Sequence, residues 1–355
     1  MKKLIAITLI LCSILALAAC GQSAAPAEAP ANDSAPAAST DAADPIIYKV
    51  SAGVPESHFE VAALKEMEKY VEEATGGSID IQIYPNNALG DDKEALELIQ
   101  QGVVQMCPTG TGVLCNFEPS FNFFSSPYLF KNYEQLDEVL NGEWGQKLLA
   151  TLDDDGFLGL GFAPLGFTCI SNNVRPIETA ADLEGIKLRA VSNAQLVEFW
   201  EAVGAKPVSM PVTELYGALQ QGVAEGQYNP FTTIYSSRFH EVQKYISKTN
   251  DIPSLVAFVV SKDAFNALTA EQQTAITEGV KVACDYMNEK VIEENDAAEQ
   301  AILEAGTTEI NEVSDETKTE LFKKGYSVIE KYGRESNEEL FEELMGILGY
   351  EDLLA

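Results

Sequence analysis

The tetrapeptide Gln100-Gln101-Gly102-Val103 returns as Gln220-Gln221-Gly222-Val223. Each copy ends an amphipathic stretch, Ala95-Leu96-Glu97-Leu98-Ile99 in one case and Leu215-Tyr216-Gly217-Ala218-Leu219 in the other. Four matching residues can arise by chance; with matching flanks they point to two lobes of one design. The pattern around the first copy reads as a strand over 46–50 and a helix over 58–75, stopped at Gly76-Gly77. A strand over 78–84 follows, with Ile79, Ile81 and Ile83 alternating, and then a helix over 91–101 with acids in its first turn and a short strand over 102–106. Around the second copy the order repeats: strand 186–190, helix 193–203, strand 206–210, helix 213–221, and a strand opened by Gly222. Strands alternating with helices imply an α/β fold with a mainly parallel sheet in each lobe. In such sheets the ligand crevice lies beyond the carboxyl ends of the strands. The repeat therefore marks two crevice segments, Pro108-Thr109-Gly110-Thr111 and Gln227-Tyr228-Asn229-Pro230.

After the second unit, 269–305 carries one long helical pattern that opens on Thr269-Ala270-Glu271-Gln272, a capping-box sequence. Such a helix is long enough to brace both lobes. Two acidic amphipathic helices, over 315–331 and 336–348, complete the chain.

The other end of the chain specifies a compartment. Lys2 and Lys3 precede an uncharged apolar run over 4–17, too short for an ordinary span and placed as a secretory signal is. The run ends in Leu17-Ala18-Ala19-Cys20-Gly21, small residues followed by a cysteine, which is the form of a bacterial lipobox. Acylation of Cys20 with two or more chains would hold the protein stably on a membrane surface. Residues 21–45 are Ala, Pro, Ser, Asp and little else, and without large side chains they can only be a tether.

Composition excludes several classes of function. Loss of Lys2 and Lys3 with the signal takes the net charge of −32 to −34. That argues against a nucleic-acid partner and against a polybasic membrane contact. Cys107, Cys115, Cys169 and Cys284 fit no metal spacing; an exported chain permits disulfides, but one this long does not need them, and buried thiols are expected. No nucleophile elbow, His-Glu-x-x-His or phosphate loop is present, and Asp153-Asp154-Asp155 lacks the closing Glu of a calcium loop. No catalytic residue, metal or cofactor is expected.

Arg189 stands out because the second lobe is poor in bases and Arg189 falls near the carboxyl end of a central strand. The residues alone leave two readings: a rim arginine paired to a surface acid, or a crevice guanidinium awaiting a carboxylate. Trp200 reads as core; Tyr228 reads equally as core or as ligand contact; His58 reads as a helix cap.

Several blocks together resemble the solute-binding subunits of TRAP transporters, the DctP-like family. They are Leu183-Glu184-Gly185-Ile186-Lys187-Leu188-Arg189, Val203-Gly204-Ala205-Lys206-Pro207-Val208-Ser209-Met210-Pro211, the run from Glu214 to Pro230, and Phe239-His240-Glu241-Val242-Gln243-Lys244-Tyr245. Tyr84-Pro85-Asn86-Asn87-Ala88-Leu89-Gly90 and Ser126-Pro127-Tyr128-Leu129-Phe130 extend the likeness to the first lobe. The resemblance implies a two-lobed periplasmic-binding-protein-like clamshell with crossing strands, closing on one small organic acid. It also implies delivery to a small and a large membrane subunit driven by an ion gradient rather than ATP. It puts the carboxylate-binding arginine on Arg189 and the pocket asparagine on Asn229, with Ser192 and Asn193 beside them and Thr109, Gly110 and Thr111 as the facing loop. The expected division is a signal peptide over 1–19, an anchor and linker over 20–45, lobes over 46–168 and 169–252, and bracing helices over 253–355. A solute-binding lipoprotein of an ATP-driven transporter or sensor, and a surface hydrolase, are the competing readings.

The chain departs from its relatives at four places. A second arginine common near Phe167-Thr168-Cys169 is missing, which favours monocarboxylates over succinate-like diacids. Tyr228 replaces a common Glu, Asp251 stands where Thr-Asn-His is common, and Phe59 rather than Pro follows His58. The lipobox makes a direct prediction. Cys20→Ser should move the protein to the soluble fraction or leave it unprocessed; a signal-free variant chain still sedimenting with membranes would contradict the anchor.

Overall fold

The computed structural model describes residues 44–350 and 352. The signal segment, Cys20 and the linker up to residue 43 lie outside these residues. The strands are β1 (Ile46–Ser51), β2 (Ile79–Tyr84), β3 (Met106–Gly110), β4 (Phe157–Phe167), β5 (Cys169–Asn172), β6 (Lys187–Ala190), β7 (Lys206–Ser209), β8 (Gly226–Asn229), β9 (Tyr245–Lys248), β10 (Pro253–Ser261) and β11 (Glu309–Glu312). They form two sheets, one ordered β2-β1-β3-β10-β4 and the other β11-β9-β5-β8-β6-β7.

Each sheet is mainly parallel, as the sequence pattern implies, with a single reversed strand: β10 in the first and β5 in the second. β1, β2 and β3 run parallel, as do β6, β7 and β8, but β10 is antiparallel to β3 and β4, and β5 is antiparallel to β8 and β9. The reason is that the chain crosses between the sheets twice. β4 leads directly into β5, and β9 leads back into β10, so the two passages run in opposite directions. Two strand positions also shift. The segment 102–105 is a turn that satisfies the end of the preceding helix, with the Val103 amide bonded to Leu98 O, and β3 begins only at Met106. The same happens after Gly222, whose φ of 72° makes it a left-handed helix cap, and β8 begins at Gly226.

Helix Ala270–Ala305 carries the capping box that the sequence shows: the Thr269 hydroxyl accepts from Gln272 N, and the Gln272 side chain accepts from Thr269 N. Its 36 residues extend about 54 Å at ~1.5 Å per residue. Ile276, Val280, Met287 and Val291 are buried in the core of the first sheet, and Ala298 and Ile302 in that of the second. One rigid element therefore has an apolar footing in both lobes. Gly279 makes the approach close, since a Cβ there would stand 2.5 Å from Val71 Cγ2 of helix Phe59–Ala74. The last helix, Asp315–Ile347, breaks at Asn337 (φ −165°), whose side chain caps a new start by accepting from Leu340 N. It closes over an aromatic cluster that includes Phe123, Phe124, Trp144 and Phe341. Cys107, Cys115, Cys169 and Cys284 are all buried free thiols.

At the crossings the two strands are tied to each other. Thr168 N donates to Ile252 O (2.9 Å), and Asp251 N to Thr168 O (3.2 Å). The Asp251 carboxylate, fully buried, accepts from the hydroxyls of Thr168 and Thr249. Asp251 O accepts from Tyr128 N at 2.6 Å, and Tyr128 adopts a φ of 65° to donate. Burial pushes Asp251 from its ordinary 3.8 up to about 6, against the Thr168 and Thr249 hydrogen bonds that pull it down. A raised carboxyl pKa means that the folded state binds more protons than the unfolded state between pH ~4 and ~6. Stability thus falls as pH rises through that window and stays lowered above it. At about 1.4 kcal/mol per unit, the difference is at most ~3 kcal/mol, or several degrees in Tm. Ligand-free protein should melt higher at pH 5 than at pH 7, and Asp251→Asn should reduce this gap; identical gaps in the two proteins would show that Asp251 does not titrate as described.

Candidate functional site

A cavity of about 630 Å³ lies between the two sheets. The size suits one small organic molecule. Phe117, Phe124 and Leu165 from the first lobe, Leu196 from the second, and Ile252 and Leu255 near the crossing give it apolar walls. Such walls lower the local dielectric, so the few polar groups that line them decide what can bind.

Arg189 is the central one. It stands on β6, in register with Val208 of β7, and its side chain enters the cavity wall. It is only 3 % exposed, and its Nε donates to Met210 O at 3.1 Å. Among the described residues no carboxylate forms an ion pair with it, and neither Nη has a protein acceptor. A rim arginine would be hydrated or paired; this one is desolvated and unpaired, and burial lowers its pKa. Burying a charge without a counter-ion costs several kcal/mol, so a bound anion is the natural complement. A guanidinium with two unused Nη groups offers a carboxylate the two-pronged geometry that matches it.

Tyr228 and Asn229 occupy the end of β8 beside Arg189, and both line the cavity. The Tyr228 ring packs 5.2 Å from Trp200, a fully buried core residue beneath it. The Asn229 amide donates to Gln227 Oε1, whose own amide donates to Ser171 Oγ at 2.8 Å. This buried chain fixes the Asn229 rotamer. Ser192, Gly110 and Thr111 also line the cavity.

Thr109 and Asn193 do not reach the cavity wall. Thr109 is fully buried within β3, and its hydroxyl turns to Cys107 O. Asn193 caps helix Ala194–Ala202 by accepting from Leu196 N, while its amide donates to Ser125 Oγ (2.9 Å), Asn122 Oδ1 (3.1 Å) and Cys115 Sγ (2.9 Å). The Asn116 amide returns the contact to Ser192 O at 2.8 Å, and Gln195 donates to Ser126 Oγ at 2.8 Å. These neutral hydrogen bonds join the lobes at the rim, and Asn193 belongs to that seam.

Three polar residues of the first lobe escaped the sequence reading. Thr168 lines the cavity, and its hydroxyl is committed to Asp251. Glu60, 2 % exposed, also lines the cavity, and its Oε1 has no hydrogen-bond partner. Asp92 lines it too, with Oδ2 accepting from Gly110 N at 3.0 Å. Helical spacing puts Glu60 among ordinary first-turn acids, and only the tertiary fold turns it inward. His58 caps the same helix, its Nδ1 accepting from Glu60 N at 3.2 Å. Among the described residues no group of three or more His, Cys, Asp or Glu side chains is arranged to hold a metal ion.

Comparison with known proteins points the same way. The profile of the DctP family, described as bacterial extracellular solute-binding protein, family 7, matches residues 50–335. The C4-dicarboxylate-binding periplasmic protein DctP of Rhodobacter capsulatus is 36 % identical over 278 residues, 77 % of this chain and 82 % of that protein. The sugar acid binding protein DctPAm of Advenella mimigardefordensis, solved with galactonate, superposes with a TM-score of 0.82 at 27 % identity, covering 88 % of this chain and 99 % of that one. A TRAP periplasmic solute-binding protein of Polaromonas, solved with D-erythronate, gives 0.79 at 28 % identity over 83 % and 98 % of the two chains.

The geometry of Arg189 sets the size of the expected mutant effect. Removing one partner of a buried charge pair costs about 3–5 kcal/mol, on the order of a hundred- to a thousand-fold or more in affinity. Arg189→Ala should therefore lose that much for any carboxylate the protein binds, at low and high salt alike. Arg189→Lys should lose much of it too, because an ammonium lacks the fork. A folded Arg189→Ala protein within about five-fold of wild type would rule out the carboxylate role.

Proposed function

Since this chain belongs to the DctP family of bacterial extracellular solute-binding proteins, we propose that it captures a small organic acid between its lobes, holds the carboxylate on Arg189, and delivers it to an ion-gradient-driven TRAP transporter. The observation that carries the proposal is the desolvated, unpaired guanidinium in the cavity wall. Tyr228, Asn229, Ser192, Gly110 and Thr111 complete the site, while Thr109 lies within β3 and Asn193 in the rim seam. Closure brings groups from both lobes around the solute and excludes water, which strengthens each polar contact inside. The partners in this reading are one small and one large membrane subunit. The working place is the outer face of the cell membrane or the periplasm, with Cys20 as the lipid anchor.

A receptor has no covalent step to perform, and the groups around the cavity suit that role. Cys115, the nearest thiol to the lobe seam, is pushed up to about 12 by burial and so stays protonated. His58 is pushed down to about 4 by burial and stays neutral. In proteoliposomes that carry the membrane subunits, uptake of the bound acid should need both this receptor and an imposed ion gradient. Uptake that proceeds on ATP without a gradient would place the protein with an ATP-driven transporter instead.

A further inference from the structure

The long helix Ala270–Ala305 has Ile276, Val280, Met287 and Val291 in the first core and Ala298 and Ile302 in the second. Between these footings it runs beside the two passages of chain that join the sheets, and polar side chains make the contact. Asn295 and Glu299 are four residues apart, so they stand on one face of the helix. Glu299 pairs with Lys248 of β9 at 3.2 Å, with both side chains largely covered, and this fixes the helix to the returning passage. Asn295 reaches the outgoing one: its Nδ2 donates to Leu165 O of β4 at 2.9 Å.

Three segments converge on Asn295. Its Oδ1 accepts at 3.4 Å from the amide of Thr232, in the first turn of helix Phe231–Ser236, and Thr232 Oγ1 donates to the same Leu165 O at 3.2 Å. That short helix follows Asn229 and Pro230 directly and has no capping side chain of its own, so the long helix supplies an acceptor for its first turn. On β4 the register with β10 passes from Pro164 to Gly166 and skips Leu165, whose carbonyl takes the bonds from Asn295 and Thr232. The approach is closest at Gly166. Its φ of 131° suits glycine, and a Cβ there would stand 2.7 Å from Asn295 Nδ2 and 2.9 Å from Pro230 Cβ.

We propose that Asn295 is a positioning residue that sets the angle between the lobes, by tying the first-lobe end of the outgoing passage and the Asn229-Pro230 loop to a helix already fixed to the second lobe. Leu165 lines the cavity from one lobe and Asn229 from the other, and both take their places from this joint. Without the Asn295 side chain the passages stay tied at Thr168, Asp251 and Ile252, but the helix no longer holds β4 against bending about that line.

A distance measurement between two nitroxide labels tests this. Val103→Cys and Val223→Cys carry the labels: these valines are 47 % and 52 % exposed and hold matching positions in the two lobes, and the natural thiols among the described residues are buried. The protein is freed of its signal and Cys20, and no solute is added, so the outcome is independent of the carboxylate role of Arg189. Asn295→Ala and Asn295→Leu both remove the bonds while keeping a good helix former, and the leucine also keeps the bulk. Each should raise the share of molecules outside the wild-type distance peak about ten-fold, equivalent to about 1.4 kcal/mol and of the size that one or two buried hydrogen bonds contribute. Gln300→Ala, at an exposed position of the same helix, should leave the distribution unchanged. Distributions of both Asn295 variants that superpose on the wild type overturn the proposal. A lowered Tm with an unchanged distribution does so too, because it marks a role in stability alone, and so does a Gln300→Ala distribution as broad as those of the Asn295 variants.

Discussion

Everything in this molecule is arranged around two passages of chain between two sheets, and the side chains of Thr168, Thr249 and Asp251 tie those passages together. Because β4–β5 leaves the first lobe and β9–β10 returns to it, the passages must be antiparallel, and each sheet carries one strand reversed against the rest, β10 in the first and β5 in the second. The lobes cannot slide along one another without breaking the backbone bonds between Thr168, Asp251 and Ile252. What remains free is bending about that line. The long helix limits the bend further, since it is seated in both cores and a 36-residue helix resists sharp curvature. The cavity lies beside this line.

The acid excess of the chain and the base at its centre belong to one electrostatic design. A minority of the acids form short-range pairs such as Lys281–Asp285 and Lys324–Glu320, which contribute little in water, and the bases are too few to pair the rest. Arg189 has no such partner. A surface this acidic repels anions at a distance, so the proposed capture of an acid depends on the short-range fork at Arg189 rather than on steering.

The sequence made much of this visible and hid the rest for physical reasons. Capping residues Thr269 and Asp91 act over three residues, so the helix starts they specify are readable locally. The duplicated Gln-Gln-Gly-Val marks the end of the same kind of helix in each lobe, and the segments after it do supply Gly110, Thr111, Tyr228 and Asn229 to the cavity. Strand starts were misplaced by about four residues because Gly102 and Gly222 cap helices before any strand begins. The mixed sheets were invisible because β4 and β10 pair across some ninety residues of intervening chain, a contact that no local period records. Glu60 was missed for the same reason: its position relative to the helix axis is legible, but which way that helix faces is a property of the whole fold. Asn193 shows the converse. It follows the arginine strand closely in sequence, yet its cap to Leu196 N turns its amide toward Ser125 and Asn122, away from the cavity.

Arg189, Glu60 and the rim together define how closure is driven. Closing an empty cavity desolvates Arg189 without a counter-ion and Glu60 without a donor, and both terms oppose closure. The hydrogen bonds of Asn193, Asn116 and Gln195 across the rim favour it, but they are neutral, and each is worth only about 1 kcal/mol net. A solute shifts this balance only to the extent that it binds the closed form better than the open one. In the proposed reading a carboxylate does so by supplying the missing charge at Arg189, where the gain exists only once water has left. A shift from mostly open to mostly closed requires about 5 kcal/mol of differential affinity. One fully desolvated carboxylate–guanidinium pair is of that size, whereas the rim hydrogen bonds, being present with or without solute, supply none of the difference. In the proposed reading, the closed state is therefore driven from Arg189 and only held in place by the rim.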